Sequence, residues 1–99
     1  MPAICVQGSL LATGHGCAPV TMLAAPSQAT VKANFALVAR QGDLTVVHII
    51  GGSTCVPHIA AVNKGSSSVF AVFQPVARVG DSADAGAMIA GVGNIIVGG

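Results

Sequence analysis

Apolar residues along this chain come in short runs that glycine, proline or a polar residue soon interrupts. Thirteen Gly and five Pro leave little room for helices. The longest stretch free of both runs from Ser27 to Gln41, where Val31, Phe35 and Val38 have the i, i+4, i+7 spacing of a helix face. A later segment, Val69-Phe70-Ala71-Val72-Phe73, is β-branched and aromatic, and Pro75 follows it closely. That composition favours a strand, and a proline there would clash inside a helix. Leu44–Ile50, Ile59–Asn63 and Asn94–Val97 also read as strands. Gly42-Asp43 and Gly51-Gly52 read as turns, since glycine accepts positive φ.

An internal repeat decides between helix and strand for the first stretch. Val38-Ala39-Arg40-Gln41-Gly42-Asp43 recurs 38 residues later as Val76-Ala77-Arg78-Val79-Gly80-Asp81. Backwards, Thr30-Val31 aligns with Ser68-Val69 and Cys17-Ala18-Pro19 with Cys55-Val56-Pro57. A truncated third copy, Gly91 to Val97, echoes Gly65 to Ala71. Two copies of one sequence share one structure, so both segments are expected as strand pairs. The expectation is an all-β chain of short hairpins, forming one domain over residues 1–99. The repeated Arg-x-Gly-Asp elements are expected as solvated corners with a local Arg–Asp pair.

Composition narrows the function. Only 7% of residues are charged, against about 25% typically. The hydrophobic fraction is 53%, with no Trp or Tyr. A surface so poor in charge is expected to be covered by another protein. Four scattered Lys and Arg and three Phe supply neither the basic stripe nor the stacking platform of a nucleic-acid binder. The N-terminus has no positive n-region, and no apolar run approaches the ~20 residues of a spanning helix. Synthesis is therefore expected in the cytosol, where three cysteines point to metal rather than to a disulfide framework.

The candidate chemistry lies in His15, His48, His58, Cys5, Cys17 and Cys55. Cys55 and His58 can be presented by one short loop stiffened by Pro57, His48 can reach the same point from a neighbouring strand, and His15 closes the set. Three imidazoles and one thiolate fill a tetrahedral zinc shell with no open position, which is a structural rather than a catalytic site. Cys17, repeat-equivalent to Cys55 and close to His15, is a rival ligand; Cys5 reads as a small buried hydrophobe. Asp43, Asp81 and Asp84 are the whole carboxylate set, and a chain this short is expected to offer no substantial substrate cleft, so no enzymatic activity is expected.

These residues resemble a known family. Pro75-Val76-Ala77-Arg78-Val79-Gly80-Asp81 is similar to the signature of the PAAR-repeat proteins, with Ala36 to Asp43 as a degenerate first copy. Gly65-Ser66 before Val69-Phe70 resembles the strand that precedes the signature, and Gly14-His15-Gly16-Cys17, His48, Cys55 and Pro57-His58 resemble the family's ligand pattern. Val76 replaces the first Ala, Leu37 stands at the signature proline of the first copy, and Asn34-Phe35 and Val72-Phe73 stand where the family has Asn-Gly turns. The resemblance implies a small cone of β-hairpins with pseudo-threefold symmetry and a metal near the apex. It implies His15, His48, Cys55 and His58 as ligands of zinc, with iron compatible with the same set.

It also implies a non-enzymatic tip that caps a trimeric β-helical spike of a contractile injection system, one tip per trimer, in transient contact with a target-cell outer membrane. No nucleic acid or small-molecule substrate is implied. The absence of a fused toxin favours a phage tail, hence a virion location at the baseplate after cytoplasmic synthesis. The alternative is a bare type VI secretion tip or adaptor that docks effectors on a VgrG-type spike and is secreted with a bacterial injection machine.

Overall fold

The computed structural model describes residues 2–14, 16, 18–50 and 56–97. Among these there is no helix, and the regular structure is a set of short antiparallel pairs. β1 (Ala3–Ile4) pairs with β12 (Val92–Ile96), joining the two ends of the chain. β2 (Leu10–Ala12) and β3 (Val20–Met22) form a hairpin, as do β4 (Lys32–Ala33) and β5 (Ala36–Leu37). β6 (His48–Ile50) pairs with β7 (Val56–His58), β8 (Phe70–Ala71) with β9 (Gln74–Pro75), and β10 (Ser82–Ala83) with β11 (Gly86–Met88). β11 also pairs with β2, giving a four-stranded sheet in the order β10-β11-β2-β3.

The repeated segments are strand pairs, as expected. Both turn through two residues of positive φ: Asn34 (49°) and Phe35 (69°) in one, Val72 (48°) and Phe73 (68°) in the other. This is the backbone of the type I′ turn, which suits the twist of a two-residue hairpin and usually takes Asn-Gly. The turn geometry therefore survives the loss of that dipeptide, with a bulky residue held in a strained region at Phe35, Val72 and Phe73. Phe35 and Phe73 are 98% and 92% exposed, so neither gains burial in return. Pro75 is tolerated because it lies opposite Phe70, between the turn-closing pair Ala71–Gln74 and the Val76 N–H to Val69 carbonyl bond. Its missing N–H falls at a pair that exchanges no hydrogen bonds.

Three extended segments carry the fold. Cys5 N–H donates to the Ala77 carbonyl (2.9 Å), Ala77 N–H to Ala39 (2.9 Å) and Ala39 N–H to Cys5 (3.0 Å), closing a triangle. A second set runs the other way round, from Gln7 N–H to Leu37, Gln41 to Pro75 and Val79 to Ala3. Only small side chains fit at the centre, and Cys5, Ala39 and Ala77 are fully buried there.

Each segment then turns a corner at a glycine of φ near +90°: Gly8, Gly42 and Gly80. A side-chain acceptor fixes each corner. Val6 N–H donates to Ser9 Oγ (2.9 Å), Arg40 N–H to Asp43 Oδ2 (2.7 Å) and Arg78 N–H to Asp81 Oδ2 (2.8 Å). The first corner was not visible as a repeat copy, because Val6 and Ser9 stand where the others have Arg and Asp. The C-terminal fragment of the third copy is completed by the N-terminus, through β12 and β1.

Past the corners, Leu23, Val62 and Met88 each return an N–H to the carbonyl of Ser9, Asp43 or Asp81. The three hairpins that begin at these corners close on one another through Leu23–Thr45, Val62–Ala83 and Met88–Leu11. Leu11, Leu23, Val62, Ala83 and Met88 pack with Cys5, Ala39 and Ala77 into one core; Ile4, Val6, Ala33, Val38, Ala71, Val76 and Val97 form another.

Two expectations need correction. The Arg-x-Gly-Asp corners are not solvated: Arg40, Asp43 and Asp81 are only 7%, 3% and 6% exposed. Arg78 does make a local pair, its Nε and Nη2 gripping both oxygens of Asp81 at 3.0 and 2.8 Å, which raises its pKa further. Arg40 keeps a looser local pair, its Nε 3.7 Å from Asp43 Oδ2, and its other nitrogens reach across to the Ala71 and Val72 carbonyls and to Ser27 Oγ, while Asp43 Oδ1 accepts from Ser27. The strand expected over Ile59–Asn63 reduces to bridges at Ala61 and Val62, because the hairpin's regular pairing sits further out, at Val56–His58. Gly51-Gly52 lies outside the described residues.

Removing Asp81 leaves the corner N–H without its acceptor and takes away the carboxylate partner of Arg78, so Asp81→Ala is expected to cost about 1–3 kcal/mol. The double variant Arg78→Val/Asp81→Ser rebuilds the corner that Val6 and Ser9 already make. It is expected to lose less stability than Asp81→Ala in urea unfolding; an equal or greater loss would refute the equivalence of the corners.

Candidate metal centre

The hairpin leaving the second corner carries both histidines that the structure describes. Beyond the Leu44–Ala61 bridge, β6 and β7 pair in a register that sets His48 directly opposite His58. The imidazoles meet edge to face, with centroids 5.0 Å apart and planes at 85°. The neighbouring hairpin supplies the third group. Asp84 lies in the turn between β10 and β11, brought alongside by the Val62–Ala83 bridge. One carboxylate oxygen, Oδ2, lies 2.7 Å from His48 Nε2; the other, Oδ1, lies 3.3 Å from His58 Nε2. His48 is buried, the Asp84 carboxylate nearly so, and His58 partly exposed.

The far side of His48 fixes its chemistry. Its Nδ1 lies 3.0 Å from the Val46 carbonyl and 3.3 Å from Thr45 Oγ1. With Nδ1–H donating to the carbonyl, which can only accept, Nε2 turns its lone pair towards Asp84 Oδ2, 2.7 Å away, and a metal ion can be shared between the two. The backbone contact is also how a metal-binding imidazole is usually oriented.

The donor set fits a first-row divalent ion. The ligating atoms of His48, His58 and Asp84 all lie within 4.8 Å of one another. Bonds of about 2.0–2.2 Å to a tetrahedral ion place two donors roughly 3.3 Å apart. The His58–Asp84 pair already has that separation, 3.3 Å, and the His48–Asp84 pair would open slightly.

Of the four expected ligands, the structure thus brings His48 and His58 together; His15 and Cys55 lie outside the described residues, as does the rival Cys17. Asp84 was missed as a candidate. The available signal was negative: of the three carboxylates it alone stands outside a Gly-Asp corner. Its partners lie 36 and 26 residues away, so no local spacing announced it.

The remaining groups are committed elsewhere. Cys5 is fully buried, as expected, and its thiol is pushed up to about 12, first by burial and then by the charge of Asp81, against a hydrogen bond with Ser9. Beside the second corner lies an open, shallow groove of about 550 Å³. Its lining is mostly apolar and includes neither His48 nor His58, and its one carboxylate, Asp43, is held by Arg40 N–H and Ser27. No protein-family model matches the chain, and no curated protein matches it.

The Cys5 thiol gives a signed pH prediction. Its ordinary value is 9.0 and its folded value about 12, so the stability it contributes is complete below pH 9 and is lost as the pH rises from 9 towards 12. The slope is at most about 1.4 kcal/mol per pH unit. Melting curves between pH 8 and 10.5 are expected to fall more steeply for the native sequence than for Cys5→Ala, which matches Ala39 and Ala77. Parallel curves would contradict the assignment.

Proposed function

We propose that this chain is a non-enzymatic structural tip, stapled by a metal ion, that caps a trimeric spike of a contractile injection system. The observation that carries the reading is the closed triangle of hydrogen bonds between three equivalent segments, at Cys5, Ala39 and Ala77. A single chain built this way repeats one backbone framework three times about one axis. It can meet three identical chains at once, as one copy per trimer requires. The triangle also supports the conical, pseudo-threefold architecture that the resemblance to PAAR-repeat proteins implies, and the body measures 40 × 25 × 20 Å.

Two further features agree with it. Among the described residues, fourteen large hydrophobic ones are exposed, including Phe35 and Phe73 at hairpin tips, which suits a surface that another protein covers. In the metal centre, His48 and His58 hold the ion, and His15 and Cys55 are the further donors the sequence offers. Zinc supplies a rigid cross-link there, redox-inert and able to stabilise a domain too small to rely on its core. The proposed setting is a phage tail, where the tip meets the target outer membrane.

Two measurements test the proposal. Elemental analysis of the purified chain is expected to find one equivalent of zinc. Chelation is expected to lower the melting temperature by roughly 15–30 °C, the effect of an ion present at about 1,000 times its dissociation constant. Native mass spectrometry of the chain with the trimeric spike of its own particle is expected to give one copy per three spike chains. A metal-free chain of unchanged stability would remove the staple, and three copies per trimer would remove the capping argument.

A further inference from the structure

We propose that Asp84 is a direct ligand of the metal, so that the ion ties the second corner's hairpin to the third's, and that Asn63 is the residue that positions it. The inference rests on the reading of this chain as a metal-stapled fold and goes beyond its expected ligands, none of which comes from the third hairpin.

The geometry at Asp84 points this way. Its carboxylate does not lie beside one histidine as an outer partner would. It spans both, one oxygen towards each Nε2, at 2.7 and 3.3 Å. An outer-shell carboxylate orients a ligating imidazole from the nitrogen that does not bind metal. On His48 that nitrogen is Nδ1, and it is already taken by the Val46 carbonyl. The nitrogen left for an ion is the one Asp84 faces, which puts the carboxylate in the same coordination sphere as the imidazoles.

The backbone is shaped to present the group. Asp84 has φ of 52°, a left-handed conformation that Asp and Asn adopt more readily than most residues. Its N–H donates to the Ala61 carbonyl (3.1 Å), on the segment leading back from His58. Asn63 completes the clamp from the same segment. Its Nδ2 donates to the Asp84 carbonyl (2.9 Å) and to Ser82 Oγ (3.0 Å), and its own N–H to the Ser82 carbonyl (2.7 Å). Asn63 thus holds the β10–β11 turn on both sides of Ala83 without touching the carboxylate. Gly86 permits the close approach of this hairpin to the first, since a Cβ there would stand 2.0 Å from the Ala12 carbonyl oxygen.

With Asp84 bound, two imidazoles and a carboxylate occupy three positions. A four-coordinate ion then has one position left, for one further protein donor or for water. Replacing one expected ligand by an oxygen also makes the set harder and suits ions beyond zinc, including Co(II) and Fe(II).

The test measures Zn(II) and Co(II) affinity and the visible Co(II) spectrum for the native chain, Asp84→Asn, Asp84→His and Asn63→Ala, with metal-free melts as a folding control. Asp84→Asn, which keeps the side chain's size, is expected to weaken Zn(II) binding at least 100-fold and change the Co(II) band pattern. Asp84→His is expected to restore much of the affinity. Asn63→Ala is expected to weaken binding about 10–100-fold, the usual effect of losing an outer-shell partner, while keeping the native Co(II) bands. Metal-free melting temperatures equal to the native chain's would assign these losses to the centre and not to folding. Native affinity and bands in Asp84→Asn would overturn direct ligation and leave the stapled reading standing. Native affinity in Asn63→Ala would overturn its positioning role. A native chain that takes up neither ion would overturn the metal-stapled reading and this inference together.

Discussion

Backbone hydrogen bonds between segments that are far apart in sequence hold this chain in shape. Cys5, Ala39 and Ala77 each give an N–H to one neighbour and a carbonyl to the other, so none can be satisfied until all three segments are in place. The closure dictates the residues around it. Side chains at the centre must be small, a glycine must turn each segment out of the ring, and a short acceptor must cap each corner N–H. Ser9, Asp43 and Asp81 are three solutions to one requirement, and the hairpins that bear the candidate centre grow directly from it.

The scarce charges are spent inside this framework. Of seven charged side chains, Arg40, Asp43 and Asp81 are buried and Arg78 and Asp84 largely covered, while Lys32 and Lys64 are exposed. The surface is therefore poorer in charge than the composition suggests. The two arginines also diverge in use. Arg78 closes its own corner, whereas Arg40 binds the hairpin of the next copy through the Ala71 and Val72 carbonyls, with its Nε 3.7 Å from Asp43. A repeated motif here gives repeated backbone geometry and a repeated ion pair, but different side-chain hydrogen bonds.

The legibility of the sequence follows the same division. The second and third corners could be read because their glycine and aspartate are dictated by φ and by capping, which are local needs. The first could not, since serine caps as well as aspartate and a valine replaces the arginine. Its outer strand is also supplied from the opposite end of the chain. Asn34-Phe35 and Val72-Phe73 would not by themselves indicate a type I′ turn; the pairing on either side imposes it. In the candidate centre, His48 and His58 were legible because one hairpin presents both. Asp84 was not, because it arrives through the pairing of one hairpin with the next.

The joining of β1 to β12 has a consequence for how the chain comes into being. During synthesis the first strand emerges roughly 90 residues ahead of its partner, a delay of about 5–20 seconds at ordinary elongation rates. Neither core can be completed in that interval, because Ile4 and Cys5 at one end must meet Val97 and Met88 near the other. Pairings of such long range are the slow kind. Until residues 88–97 have emerged, part of each core stays open, and these long-range contacts close late.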